Sequence, residues 1–241
     1  MENFGKIVAP TIKELFVQRV AGMILTGRLK VGERLPSERA LADQMGIGKT
    51  VVHNGLEELA RIGLVRIKPQ SGVVVADYMV TGNLETFNAI VRFNGSNLSP
   101  EIISAIFDMR LAIEGFAIRR FAKCHAPEDI QLLRKMIDEI GDYVASEDMD
   151  YAGLAERFFE FHRTICLLSR SPMLPLTMNA VREGSLAFWE RYIRTVSVKS
   201  ALNLLSRFVD LFEQSDGDGA YALMEDGLNA QLDKYRAEVH G

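Results

Sequence analysis

The stretch GRLKVGERLPSERALADQMGIGKTVVHNGLEELARIGLV, residues 27–65, decides how the chain reads. Pro36-Ser37 opens a helix: Ser37 is a sound N-cap, and Glu38 suits the positive end of the helix dipole. Leu41, Ala42 and Met45 form its inner face, and Gly46 closes it where a left-handed residue is favoured. A second helix, Lys49–Arg61, starts two or three residues later. It buries Val52, Leu56 and Leu59 and turns Lys49, Thr50, His53, Asn54 and Glu57 the other way. Two short helices joined by a glycine-containing turn make a helix-turn-helix. Such a motif offers the N-terminal part of its second helix to the DNA major groove. Here that part carries a cation, a hydroxyl, an imidazole and an amide, groups that meet phosphates and base edges.

The flanks extend the motif. Upstream, Ile12, Phe16, Val20 and Ile24 recur every four residues along 11–26, one apolar helical stripe that Gly27 ends. Downstream of Gly63, Leu64–Ile67 and Val73–Ala76 have strand character around a turn at Lys68–Gly72. This hairpin is a wing, and its tip, Gln70-Ser71-Gly72, is small enough to approach a phosphate or enter the minor groove. Read as a protein-interaction module instead, the same polar helix face is only solvated.

Charge divides unevenly. The 241 residues carry a net −4, but residues 1–78 hold 11 Lys+Arg against 8 Asp+Glu (+3), and residues 79–241 hold 17 against 24 (−7). A polyanion would be met by the first part and repelled by the second. At 48% hydrophobic and 25% charged, the composition excludes collagen-like, disordered and disulfide-scaffold classes. No apolar run approaches the ~20 residues of a membrane span, and the N-terminus lacks an apolar signal core. The expected location is the cytoplasm, with no membrane partner. Cys124 and Cys166 lie in apolar helical patterns and read as reduced, packed thiols.

The remainder reads as helix throughout: 84–93, 99–122, 127–145, 150–169, 173–195, 198–214 and 217–238. Ser99-Pro100-Glu101 is a helix start with proline at the first position. Asp216-Gly217-Asp218-Gly219 is a turn that lacks the later ligands of a calcium loop. The expected fold class is mostly α. An N-terminal winged helix-turn-helix with a small β-hairpin (1–78) is followed by a linker and connecting helix (79–98). An antiparallel all-helical bundle (99–241) completes the chain. No Ser-His-Asp set, paired carboxylates or phosphate loop stands out, so no enzyme is expected.

Residues Gly27–Asp77 resemble the winged-helix domain of GntR-type bacterial transcription regulators. The matching residues follow G-x-L-x-x-G-x-x-L-P-S-E-R-x-L-A: Gly27, Leu29, Gly32, Leu35, Pro36, Ser37, Glu38, Arg39, Leu41 and Ala42. The L-E-E-L-x-R-x-G-L-V run follows at Leu56–Val65. The resemblance implies DNA contacts from Arg39, Lys49, Thr50, His53, Asn54, Gln70, Ser71 and Gly72. One departure matters. Where the family helix opens Ser-Arg-Thr-Pro-Val-Arg-Glu-Ala-Leu, this chain has Gly48-Lys49-Thr50-Val51-Val52-His53-Asn54-Gly55-Leu56. Lysine and histidine lack the bidentate arginine fork, which implies an altered operator. Gly55 should cost about 0.5–1 kcal/mol relative to alanine inside a helix.

The helical part resembles the effector domain of the FadR subgroup. The matches are Met109-Arg110-Leu111-Ala112-Ile113-Glu114, Phe161-His162 with Leu168–Leu174, and the turn Ser215-Asp216…Ala220. Many members hold a divalent metal with one Asp and three His. Here those positions fall on Phe158, His162, near Leu205 and near Gly227, so one ligand of four remains and no metal or cofactor is expected. The replacements imply a larger, more apolar centre suited to an acyl or other lipophilic, acidic effector. The implied effector residues are Arg110, Glu114, Phe158, His162, Trp189, Tyr192 and Leu205. Arg110 anchors an acidic group or pairs with Glu114 one turn on. His162 is a hydrogen-bonded core residue or a pocket contact, and Trp189 and Tyr192 line a cavity or pack the core. The resemblance implies a homodimeric repressor on a palindromic duplex operator, controlled by a small-molecule effector. A constitutive regulator without effector is the alternative.

Overall fold

The computed structural model describes residues 9–70, 72–94 and 100–240. Helix α1 (Ile12–Leu25) begins at a reciprocal cap: the Glu14 amide donates to Thr11 Oγ1 (3.2 Å), and the Thr11 amide donates to the Glu14 carboxylate (2.7 Å). Phe16, Val20 and Ile24 are buried as the stripe requires. Ile12, on the first turn, is instead 57% exposed. Helix α2 (Glu38–Met45) starts where Ser37 accepts the Ala40 amide and stops at Gly46, whose φ of +65° is left-handed. Helix α3 (Lys49–Arg61) has no side-chain cap at Gly48. Its Val52, Leu56 and Leu59 join Phe16, Val20, Leu41 and Ala42 in one core.

Strands β1 (Val65–Lys68) and β2 (Gly72–Val75) pair antiparallel, Val65 opposite Val75 and Lys68 opposite Gly72, around a tip in which Gln70 has φ +62°. The segment before α2 is more than a connector. Arg34 bridges Val74, the Leu35 amide donates to the Val73 carbonyl and the Val75 amide donates to the Glu33 carbonyl, both at 2.9 Å. The wing thus rests on a third, very short strand.

Helices α4 (Tyr78–Thr81) and α5 (Leu84–Asn94) follow. The chain divides by packing into units 1–93 and 94–241. The start of α5 is fastened to the end of α3: buried Thr86 donates its hydroxyl to the Ile62 carbonyl, and Arg61 reaches Glu85 at 2.6 Å. Residues 83–93 therefore pack as part of the winged-helix unit and not as free linker.

The second unit comprises α6 (Pro100–Arg110), a π-helical turn (Leu111–Gly115), α7 (Phe116–Cys124), α8 (Pro127–Ala145), α9 (Tyr151–Leu168), α10 (Met173–Ala180), α11 (Arg182–Thr195), α12 (Val198–Glu213) and α13 (Gly217–His240). Helix α9 packs chiefly on α11, α8 on α12 and α7 on α13. Phe121, Phe158, Phe159, Phe161, Phe208 and Phe212 are at most 1% exposed. Each such ring contributes roughly 1.5–3 kcal/mol of apolar burial. Asp216, in the glycine-rich turn, accepts the Gly219 amide at 2.8 Å and so acts as a helix cap.

The expected helix over 99–122 is continuous from Pro100 to Cys124 with the π turn inside it, whereas 173–195 is interrupted at Val181. No helix among the described residues is long and apolar enough to cross a membrane.

Candidate nucleic-acid interface and effector centre

Two clusters of polar side chains remain once the cores are accounted for. The first is on the winged-helix unit. Lys49, Thr50, His53 and Asn54 all stand exposed on α3, as does Arg39 on α2, because the opposite faces of both helices are committed to the core. Gln70 and Gly72 are exposed at the wing; Ser71 lies outside the described residues.

The face is not uniformly cationic. His53 Nδ1 lies 2.8 Å from Glu38 Oε1, His53 Nε2 lies 3.4 Å from Glu57, and Lys49 Nζ lies 3.9 Å from Glu38 Oε2. The hydrogen bond and then the charge of Glu38, followed by the charge of Glu57, push the His53 pKa up. Slight desolvation and Lys49 oppose them.

A cation that the sequence does not single out stands at the wing. Arg34 stands on the short third strand, and a side-chain carbon added at Gly72 would come within 3.3 Å of its guanidinium. Gly72 has φ +82°, so the wing closes there on a backbone that only glycine adopts readily, directly under Arg34. The signal for Arg34 was its place beside Leu35, but a two-residue strand has no periodicity to detect.

The second cluster is buried in the helical unit. Arg110, Glu114 and His162 are 4%, 3% and 3% exposed. Arg110 Nε and Nη2 donate to the two Glu114 oxygens at 2.7 and 3.0 Å, and His162 Nδ1 meets Glu114 Oε2 at 2.9 Å. Burial alone would raise the Glu114 pKa. The Arg110 guanidinium, and then His162, outweigh it and hold the carboxyl down to about 2. The ion pair weighed against an effector anchor is therefore present, and Arg110 spends its fork within the protein.

Aromatic rings enclose these groups. The Arg110 guanidinium lies 4.7 Å from the ring centres of both Phe188 and Trp189. Trp189 also meets His162 at 4.9 Å, Phe158 at 5.2 Å and Tyr192 at 5.5 Å. Nothing in the sequence singles out Phe188, because its place against Arg110 is set by packing between helices distant in sequence. Its ring also stacks parallel to Tyr192. Leu205, fully buried on α12, sits one turn before Phe208, whose ring edges onto His162.

One polar atom is left over. His162 Nε2 is buried and has no hydrogen-bond partner among the described residues. With Nδ1 committed to Glu114, this nitrogen is the free valence of the cluster.

The residues do not fit a bound metal. Phe158 and Leu205 offer carbon where ligands would be needed, Gly227 offers nothing, and no group of three potential ligands occurs among the described residues.

The expected enlargement is also corrected in part. Phe158 and Leu205 are at most 1% exposed and fill the centre themselves. Room lies instead beside Gly227, in a groove of about 440 Å³ between α11, α12 and α13. Tyr192 and Gly227 line it, with Arg207 and Lys234, and neither cation has an ion-pair partner among the described residues.

Comparisons with known proteins agree with both units. Residues 13–75 match the family described as bacterial regulatory proteins, gntR family, and residues 105–230 match the FCD domain. Among relatives, the chain is 27% identical over 164 residues to YcbG of Bacillus subtilis, described as an uncharacterized HTH-type transcriptional regulator. That alignment covers 68% of this chain and 64% of YcbG, just under two thirds of that relative's length. It is 24% identical over 200 residues to the fatty acid metabolism regulator protein of Salmonella paratyphi B, covering 82% and 80% of the two chains. A solved structure described as Lar, which controls expression of the Listeria monocytogenes agr system, covers 95% of this chain and 99% of its own. Its TM-score of 0.62 at 14% identity shows a shared fold. With one match on the winged helix and the other over more than half of the 241 residues, the chain belongs to the gntR family of bacterial regulatory proteins, in the group that carries an FCD domain.

Proposed function

We propose that the protein is a cytoplasmic, homodimeric transcription repressor whose two winged helices grip the half-sites of a near-palindromic operator. A small effector taken up by the helical unit releases it. The observation that carries the reading is the exposed face of α3. Lys49, Thr50, His53 and Asn54 stand free of the core on the helix that a helix-turn-helix sends into the major groove. Arg39 and Arg34 flank them as exposed cations on α2 and at the wing. A closed dimer presents two such helices related by two-fold symmetry, which a palindromic site matches.

The effector belongs to the helical unit. Arg110, Glu114, Phe158, His162, Trp189 and Tyr192 form its polar–aromatic centre, with Leu205 behind it. Among the described residues, Nε2 of His162 leaves that centre one unmet hydrogen bond, and the groove beside Tyr192 and Gly227 carries two cations without ion-pair partners, Arg207 and Lys234, beside Val196 and Leu204. A molecule with an apolar body and an acidic head suits both features. The likeness to a fatty acid metabolism regulator supports a lipophilic one. Coupling between the sites need be only about 1–3 kcal/mol.

The test is capture of genomic DNA fragments by the purified protein, with and without a small-molecule extract of the host. A short palindromic consensus that the extract releases is the expected result. Enrichment that no extract alters favours a constitutive regulator, and no enrichment at moderate salt overturns the DNA reading.

A further inference from the structure

Glu38 touches both side chains that replace the arginines of related recognition helices. It is the first residue of α2, its side chain is 31% exposed, and its two oxygens reach His53 Nδ1 and Lys49 Nζ. The groups that act on His53 are Glu38 from α2 and Lys49 and Glu57 from its own helix. From α1, the packing against α3 at this level is the apolar ring of Phe16, which meets Gly55.

The chemistry follows from which nitrogen is held. A carboxylate at Nδ1 keeps the proton there and fixes the tautomer. Nε2 then has two possible characters. In the neutral ring it is an acceptor, and in the protonated ring it is an N–H donor. The charge count favours the donor: with Lys49, Glu38 and Glu57 the patch is −1 when His53 is neutral, and zero when it is protonated. A protein surface facing phosphates gains from the second state. The remaining contact of Nε2, to Glu57 at 3.4 Å, is with a side chain that is 60% exposed and that DNA phosphates would repel.

We infer that Glu38 is a positioning residue for DNA reading: by holding Nδ1–H of His53 it aims Nε2–H at an acceptor on the operator, guanine N7 or a phosphate oxygen, and thereby makes operator affinity fall as the solution becomes alkaline. The inference rests on the reading that α3 enters the major groove.

Binding that protonates His53 takes up one proton. Affinity is therefore greatest below the free-protein pKa and falls by at most about tenfold per pH unit until pH passes the complex's pKa.

The probe is the tightest duplex recovered by fragment capture, labelled and titrated by fluorescence anisotropy from about pH 5.5 to pH 8.5 at fixed ionic strength; the range brackets the ordinary histidine pKa. Wild type should show the fall. Glu38→Gln should move it to lower pH and weaken binding several-fold at neutral pH, with an unchanged thermal melt. His53→Arg should bind without the fall. His53→Ala should bind weakly and without it. A Glu38→Gln profile that superimposes on wild type overturns the role of Glu38. A flat wild-type profile does so even if that variant fails to fold. His53→Ala with wild-type affinity at every pH overturns the docking of α3 itself, a separate failure.

Two modified duplexes separate the acceptors. Loss of the pH slope with 7-deazaguanine points to guanine N7, and loss with methylphosphonates points to the backbone. A slope that survives both overturns the contact.

Discussion

Replacing Arg110 by methionine should be among the most damaging single changes in the helical unit. Methionine keeps much of the volume and contact with the Phe188 and Trp189 rings, so the loss is mainly electrostatic. Glu114 is left buried with His162, at 2.9 Å, as its one remaining partner among the described residues. Removing one member of a buried ion pair costs about 3–5 kcal/mol, because the other is left as an uncompensated charge. The hydrogen bond from His162 Nδ1 remains and offsets part of that, which places the expectation near the lower end, about 3 kcal/mol. At roughly 2–4 °C per kcal/mol, the melting point should fall by roughly 6–12 °C.

Contrast the exposed pair of Arg134 with Asp210 and Glu213, where the arginine is 41% exposed. Such a surface pair is worth about 0–1 kcal/mol. The double variant Arg110→Met/Glu114→Gln should recover most of the loss, since it removes both charges. The assay is urea unfolding followed by Trp189 fluorescence. The chain has a single tryptophan, and it lies against Arg110, so the signal reports this unit alone. A single variant within about 1 kcal/mol of wild type, or a double variant no better than the single, would refute a sealed and mutually dependent pair.

Acid stability should follow the same pair. The Glu114 carboxyl is held at about 2, below its ordinary 4.5, so its contribution is present above pH 4.5 and is lost as pH falls through about 2; in Arg110→Met the loss should begin at higher pH. Gly55→Ala should destabilise the winged helix by about 1–3 kcal/mol in a thermal melt, because the added carbon would sit 2.3 Å from the buried Phe16 ring. This reverses the gain that helix propensity alone predicts. Lys49→Ala and His53→Ala should each weaken operator binding roughly tenfold while leaving the melt unchanged; wild-type binding by both would remove α3 from the groove. Cys166, whose thiol pKa is pushed up by burial and then by Glu114 against a smaller effect of Arg110, should resist a disulfide reagent in the native state and react once urea unfolds the chain.

The winged helix was legible because its signals are local. Ser37, Gly46 and Gly63 mark boundaries by backbone chemistry, and the apolar spacing of Val52, Leu56 and Leu59 assigns the buried face without knowledge of a partner. What escaped detection depends on contacts distant in sequence. The strand at Glu33–Leu35 exists only because β2 lies beside it. The break at Val181 has no glycine or proline to announce it. Gly55 reads as a weak point in a helix until Phe16 is seen against it. The buried polar centre of the helical unit was half legible. The pairing of Arg110 with Glu114 follows from their spacing of four, but that spacing does not say whether the pair is buried or bare, and the closure of Phe188 over it comes from the fold.

The π turn at Leu111–Gly115 gives the helical unit a fixed gauge. Gly115 lies where a side-chain carbon would come within 2.6 Å of the Tyr221 ring, so α13 passes close against this loop of widened backbone. A widened turn lodges a residue more than an α-helix would over the same rise. The extra residue is taken up within the turn, so the helix beyond it keeps its phase and Ala117, Ile118 and Phe121 face the core. Deleting one residue here, Ala112 for instance, would let the backbone relax into uninterrupted α-helix and leave those three side chains at their seats. One residue added to an α-helix without such a turn would instead swing α7 by about 100° and carry them away. The widened turn therefore acts as a take-up for length, absorbing a single residue while the helices on either side hold their alignment.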